Sequence, residues 1–144
     1  QHSDRAVRDG MDISIIAYDT DTGMVEYAGA FHPLYHVHNG VVDTIRADRF
    51  SIGFSETWES VYFTNHVINV EKGDMLYMCS DGYADQFGGG DDRKFKTGRI
   101  KEMLSRIYLD PVEKQKEEIY QTIMDWMDGT PQVDDILFIG TRVN

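Results

Sequence analysis

Two acidic stations in the chain have the residue types and the setting to do chemistry. The first is Asp81, in the stretch "YMCSDGYADQFGGGDD" (Tyr77–Asp92), where an apolar run ends directly in Asp-Gly. The second is the Asp134-Asp135 pair in "QVDDILFIG" (Gln132–Gly140), immediately ahead of another apolar run. A carboxylate at the mouth of a sheet, beside a rigid strand, suits a hard divalent cation, which takes oxygen ligands. Two metals about 4 Å apart, bridged by water, would need four or more carboxylates, and such crowded like charges need the metals to neutralise them. Each station also has a plainer reading. Asp81-Gly82 is a strong turn signal, and Asp134-Asp135 can be a solvated loop. The residues alone leave both readings open.

The surrounding elements must position these acids. "DISIIAY" (Asp12–Tyr18) reads as a strand, Asp19–Gly23 as a turn, and "MVEYAGA" (Met24–Ala30) as the returning strand. Asp19 and Asp21 do not make a calcium loop, because Gly23 falls at the fifth position and no helix pair flanks it. "LYHVH" (Leu34–His38), Asn39-Gly40 and "VVDTI" (Val41–Ile45) form a second hairpin, since a two-residue type I′ turn needs φ > 0 twice. Arg46 to Ser60 reads as an irregular connection and Val61–Val70 as a strand. Glu71–Asp74 reads as a turn. Met75–Ser80 is a strand with little alternation, which predicts burial on both faces.

The pattern then turns helical. Ile100, Met103, Leu104, Ile107 and Tyr108 recur at helical spacing, with Cys79 expected as a small core residue. Asp110, Pro111 and Glu113 predict a helix start, with Asp110 as N-cap, Pro111 at N1 and Glu113 completing a capping box. Val112, Ile119, Ile123 and Met127 line one face with Trp126 beside them, and Gly129 and Pro131 end the helix. Asp135–Val143 reads as a terminal strand. The fold class expected is α+β, with helices covering one face of a mostly antiparallel sheet system.

The bulk numbers exclude several functions. The chain of 144 residues is one domain by length, with 41% hydrophobic residues and one cysteine, which favours a reducing compartment. Its 14 basic and 25 acidic residues leave a net charge of −11, which disfavours nucleic acid and anionic lipid. No run approaches the ~18 apolar residues a membrane span requires. The chain begins at Gln1, and residues 1–11 form a polar segment ahead of the domain.

"GDMLYMCSDGYADQFGG" (Gly73–Gly89) together with "QVDDILFIG" resembles the SpoIIE/RsbU-like branch of the PP2C-type, metal-dependent serine/threonine phosphatases. "MVEYAGAFHPLYHV" (Met24–Val37) is similar to that family's Tyr-x-Ala/Asn-Gly-His-x-Pro segment. "FTNHVINVEKGDMLYMCSDGYADQFGG" (Phe63–Gly89) looks like versions fused to bacterial sensor modules. The resemblance implies a PP2C-like β-sandwich of αββα type. It also implies Asp81 and Asp134 as ligands of a dinuclear Mn²⁺ or Mg²⁺ site, with Gly82 and Asp135 in support, and Gly88–Lys94 as a mobile loop near the site. The implied substrate is a phosphoserine or phosphothreonine of a bacterial signalling protein of the anti-sigma-antagonist type. A cytoplasmic location and an upstream sensor or regulatory domain, through which the parent can attach to a membrane, go with it.

The chain also departs from the pattern. The family's earlier metal-bridging Asp-Gly motif is absent; "RDGMD" (Arg8–Asp12) belongs by position to a later strand. Leu137 stands where the family's last motif has Thr, and His32, displaced from the family's His-Pro, reads as structural. Residues 12–144 are therefore expected to be the C-terminal portion of a phosphatase domain incomplete at its N-terminus, weakly active or inactive alone. Sheet edges bared by missing strands would invite a homodimer. A non-catalytic signalling or scaffold module of the same fold, and an unrelated β-rich ligand-binding domain, are the competing expectations.

Overall fold

The computed structural model describes residues 10–53, 62–90 and 93–144. The elements run β1 (Gly10–Met11), β2 (Ile13–Asp19), β3 (Met24–Ala30), β4 (Leu34–His38), β5 (Val41–Ile45) and β6 (Ile52–Gly53). They continue with β7 (His66–Asn69), β8 (Met75–Cys79), α1 (Asp81–Asp85), β9 (Phe87–Gly88) and β10 (Arg93–Lys94). The chain ends with α2 (Lys96–Ile107), α3 (Val112–Met127) and β11 (Phe138–Arg142). Two sheets carry the fold: a four-stranded sheet ordered β11-β8-β4-β5 and a three-stranded sheet ordered β2-β3-β7. Their strand pairings are antiparallel throughout.

The central strand β8 explains its own unbroken hydrophobicity. Met75, Tyr77 and Cys79 face the helices, where they pack with Tyr83, Phe95, Ile100, Met103, Leu104, Ile107 and Ile123. Leu76 and Met78 face the three-stranded sheet, where Leu34, Val25 and Tyr27 meet them. A strand with core on both faces has no polar side to alternate. The result is a stack of helices, four-stranded sheet and three-stranded sheet. The outward face of the three-stranded sheet leaves Ile15, Val67 and Met24 exposed.

Local chemistry sets the connections. Asp19 Oδ1 accepts from the Asp21 and Thr22 amides at 2.9 and 3.2 Å, and Gly23 takes φ +70°, so the segment is a turn as expected. Asn39 and Gly40 both lie at positive φ, 49° and 79°, which is the type I′ requirement. Burial pushes the Cys79 thiol up to about 12, with the nearby Asp81 charge adding to it, as befits a core cysteine.

Four expectations need correction. Strand β7 spans His66–Asn69 alone; Tyr62–Asn65 is not strand, and Val61 lies outside the described residues. Asp110 does not cap α3: Pro111, extended at ψ 144°, takes that position with no side-chain cap bond, and Asp110 Oδ1 pairs with Lys114 instead. Val112 is exposed, so the buried face of α3 rests on Gln115 and Ile123. Finally, β11 begins at Phe138, leaving Asp135–Leu137 without regular secondary structure ahead of the strand.

Candidate metal centre

The antiparallel pairing of β8 with β11 decides where the acids fall. Cys79, the last residue of β8, sits opposite Phe138, the first of β11. Asp81 follows the one strand and Asp134-Asp135 precedes the other, so both stations come to the same end of the sheet.

Ser80 closes them together. Its amide donates to the Leu137 carbonyl at 3.0 Å. Its hydroxyl donates to the Asp135 carbonyl at 2.8 Å and accepts from the Leu137 amide at 2.9 Å. Because that hydroxyl is spent across the strands, it makes no cap bond to α1, although Ser80 is the N-cap residue.

Asp81 is the first residue of the short helix α1, so the plain turn, one of the two readings left open, is not what forms. Gly82 is helical, and its importance is space. A Cβ there would lie 2.4 Å from the Asp135 carbonyl oxygen and 3.3 Å from that of Asp134. The absent side chain lets the Asp134-Asp135 backbone rest directly on α1.

Gln86 holds the same loop from beneath. It is fully buried, and its Nε2 donates to the Phe87 and Pro131 carbonyls, both at 3.0 Å. Its Oε1 accepts from the Val133 amide at 3.3 Å. The Gln86 backbone carbonyl meanwhile accepts from Trp126 Nε1 at 3.0 Å and from the Phe95 amide at 2.9 Å. Sequence reasoning missed both Ser80 and Gln86 as organisers of the site. The only available hint for Gln86 was a polar residue lodged between aromatic and glycine positions.

The carboxylates themselves are open. Asp81, Asp134 and Asp135 are exposed, and among the described residues none of them is ion-paired to a basic side chain. Asp134 Oδ1 accepts from the Asp135 amide at 2.7 Å. These are oxygen donors of the kind a hard cation takes. They fit Mn²⁺ or Mg²⁺ in kind and fall short in number: among the described residues no three His, Cys, Asp or Glu are grouped to hold a metal ion.

At the ends of the Gly88–Lys94 segment, Gly88 pairs with Arg93 and Phe87 with Lys94; Asp91 and Asp92 lie outside the described residues. Lys94 pairs with Asp85 at 2.7 Å. His32 contributes its backbone carbonyl, which accepts from Ser14 Oγ at 2.5 Å and Tyr27 OH at 2.7 Å. Among the described residues no helix is long and apolar enough to cross a membrane.

Comparison with known proteins agrees with this architecture. The family described as Stage II sporulation protein E (SpoIIE) matches residues 3–144, and the chain belongs to that family. The SiaA-PP2C domain of Pseudomonas aeruginosa is similar in structure, with TM-score 0.84 and 26% identity, covering 92% of this chain and 52% of that one. The Mn-presoaked phosphatase domain of SpoIIE from Bacillus subtilis gives TM-score 0.68 at 15% identity, covering 92% and 56%. The RsbU and RsbW domains of Rv1364c from Mycobacterium tuberculosis give 0.70 at 16%, covering 91% and 35%. The chain thus spans about half the length of the SiaA and SpoIIE domains it matches. No curated protein sequence matches it. The fold is that of PP2C phosphatase domains, and the family's role is a phosphatase role.

Proposed function

We propose that this chain is the C-terminal portion of a metal-dependent PP2C-type phosphatase domain that removes phosphate from phosphoserine or phosphothreonine. The observation that carries the reading is the convergence of Asp81 and Asp134-Asp135 at one sheet end, fixed by Ser80 and by the bare backbone at Gly82. Asp81 and Asp134 would hold Mn²⁺ or Mg²⁺, with Gly82 and Asp135 keeping them in place. When bound in a complete domain, a metal pair supplies an activated water and neutralises charge on the phosphoryl oxygens. The residues described here do the positioning: Ser80 locks β8 to the segment entering β11, and Gln86 holds the loop that delivers Asp134.

The substrate proposed is a phosphorylated bacterial signalling protein of the anti-sigma-antagonist type. The SpoIIE family membership and the likeness to a chain carrying RsbU and RsbW domains support that class. An upstream sensor or regulatory domain, a cytoplasmic location and a homodimer through bared strand edges belong to the same proposal. So does low activity of the 144-residue chain alone, because two acids cannot retain a bridged metal pair.

The test compares this chain with a version extended upstream by its own coding sequence, each assayed on a phosphoserine peptide with Mn²⁺. The extended protein is expected to hydrolyse the peptide, and Asp81→Asn to abolish the activity, while the 144-residue chain stays near background. An inactive extended protein that still folds would favour the scaffold reading. Robust Mn²⁺-dependent hydrolysis by the short chain, lost in Asp81→Asn, would contradict the incomplete site.

A further inference from the structure

At the opposite end of β8 from Asp81, a second polar cluster is built into the fold. Asp74 is 5% exposed, and its carboxylate meets His36 Nε2 at 2.7 Å and His38 Nδ1 at 2.8 Å. It also accepts from the Glu71 amide at 3.0 Å. His36 is itself buried, whereas the side chain of His38 is 38% exposed and reaches solvent. Both histidines alternate with Tyr35 and Val37 and so lie on the β4 face turned toward the three-stranded sheet. The backbone of the same turn holds the end of the chain. The Gly73 amide donates to the Val143 carbonyl at 2.8 Å, and the Val143 amide donates to the Asp74 carbonyl at 2.9 Å.

We propose that His36, Asp74 and His38 form a proton-operated latch that ties β4 to the turn before β8 and, through that turn, to the last strand. Each histidine must present N–H to the carboxylate, which fixes the tautomers. In neutral His38 the remaining Nε2 accepts from Asn39 Nδ2, at 2.8 Å. A second proton there makes Nε2 a donor, so the Asn39 amide must turn its Oδ1 toward it, and the bond from Nδ1 to the Asp74 carboxylate becomes an ion pair.

The surrounding charges favour that proton. Asp43 faces His36 across the β4–β5 pair, and Glu71 lies in the turn with Asp74, where the Lys72 cation opposes it. Arg142 of β11 is turned away, donating to the Tyr108 and Asp110 carbonyls. From the three-stranded sheet Val25 and Ile68, and just past it Val70, contribute apolar surface. The hydrogen bond and charge of Asp74 raise His38 above its ordinary value, with Glu71 and Asp43 adding to this. Burial would raise Asp74, but bonds from the Glu71 amide, His36 and His38 outweigh it and hold the carboxyl low.

The signs follow by linkage. The His38 contribution is fully present below its unfolded pKa, about 6.5, and is lost as pH rises through the higher folded value. The Asp74 contribution is present above about 3.9 and is lost as pH falls through its lowered folded value. The latch is therefore tightest in weak acid and loosens toward alkaline pH.

NMR of the full 144-residue chain tests this. The His38 ring proton is expected to titrate with a midpoint above 6.5, falling back to about 6.5 in Asp74→Asn. Hydrogen-exchange protection of the Val143 amide is expected to drop several-fold between pH 6 and pH 8 in the native chain, and to stay flat in His38→Gln. If Asp74→Asn does not fold, the His38→Gln comparison stands alone. A His38 midpoint at or below 6.5, or Val143 protection with the same pH profile in both proteins, overturns the latch.

Discussion

Gly82→Ala is expected to destabilise the chain by about 2 kcal/mol, although alanine is the better helix former. Within α1 the substitution gains roughly 1 kcal/mol of propensity. Against that, the new Cβ would sit 2.4 Å from the Asp135 carbonyl oxygen, a contact with backbone that no rotamer change relieves. Forcing atoms into packed space costs about 1–3 kcal/mol, with more where backbone must shift. Gly98→Ala in α2 is the control, because a Cβ there meets nothing within 4 Å. That variant should gain up to about 1 kcal/mol. Urea unfolding of the two variants, read as opposite shifts of the midpoint at constant slope, checks the argument. Equal shifts would mean that α1 and the Asp135 backbone are not in contact.

Gln86→Leu is expected to be at least as damaging, by about 3 kcal/mol. Leucine matches the volume, so the loss is polar rather than steric. It strands the Pro131 carbonyl and the Val133 amide around a side chain that is fully buried. An unpaired buried backbone group costs about 1–3 kcal/mol. The effect should extend beyond stability, because Pro131 and Val133 lead directly into Asp134. Amide resonances of Gln132–Asp135 are therefore expected to broaden or shift in Gln86→Leu, while those of the Asn39-Gly40 hairpin tip remain in place.

What the sequence disclosed and withheld divides along a physical line. Properties set by nearest neighbours were legible: the type I′ turn at Asn39-Gly40, the turn at Asp19–Gly23, the helical spacing from Ile100 to Ile107, and the two-faced burial of Met75–Cys79. The meeting of Asp81 with Asp134-Asp135 was legible as a possibility, since one acid follows a strand and the others precede one. Their union depends on β8 pairing with β11, and that partner lies more than fifty residues away in sequence. Gly82 looked like a turn residue because Asp-Gly usually is one; its actual constraint, a carbonyl pressing on the Cα, comes from the distant loop. The Asp110 cap failed for a similar reason. Its backbone carbonyl is claimed by Gln115 and Arg142 and its carboxylate by Lys114. Gln86 and the His36–Asp74–His38 cluster were invisible, because a polar residue declares its role only through partners that folding brings to it.

The central claim is that Asp81 and Asp134 serve one cation. Paramagnetic broadening by Mn²⁺ tests it without requiring catalysis. Titrating Mn²⁺ into the labelled chain should broaden the amides around Asp81 and around Asp134-Asp135 together, at the same metal concentration. Either Asp81→Asn or Asp134→Asn should relieve the broadening at both segments. Broadening that persists at one segment after the other acid is removed, or that never reaches both, would contradict a shared site.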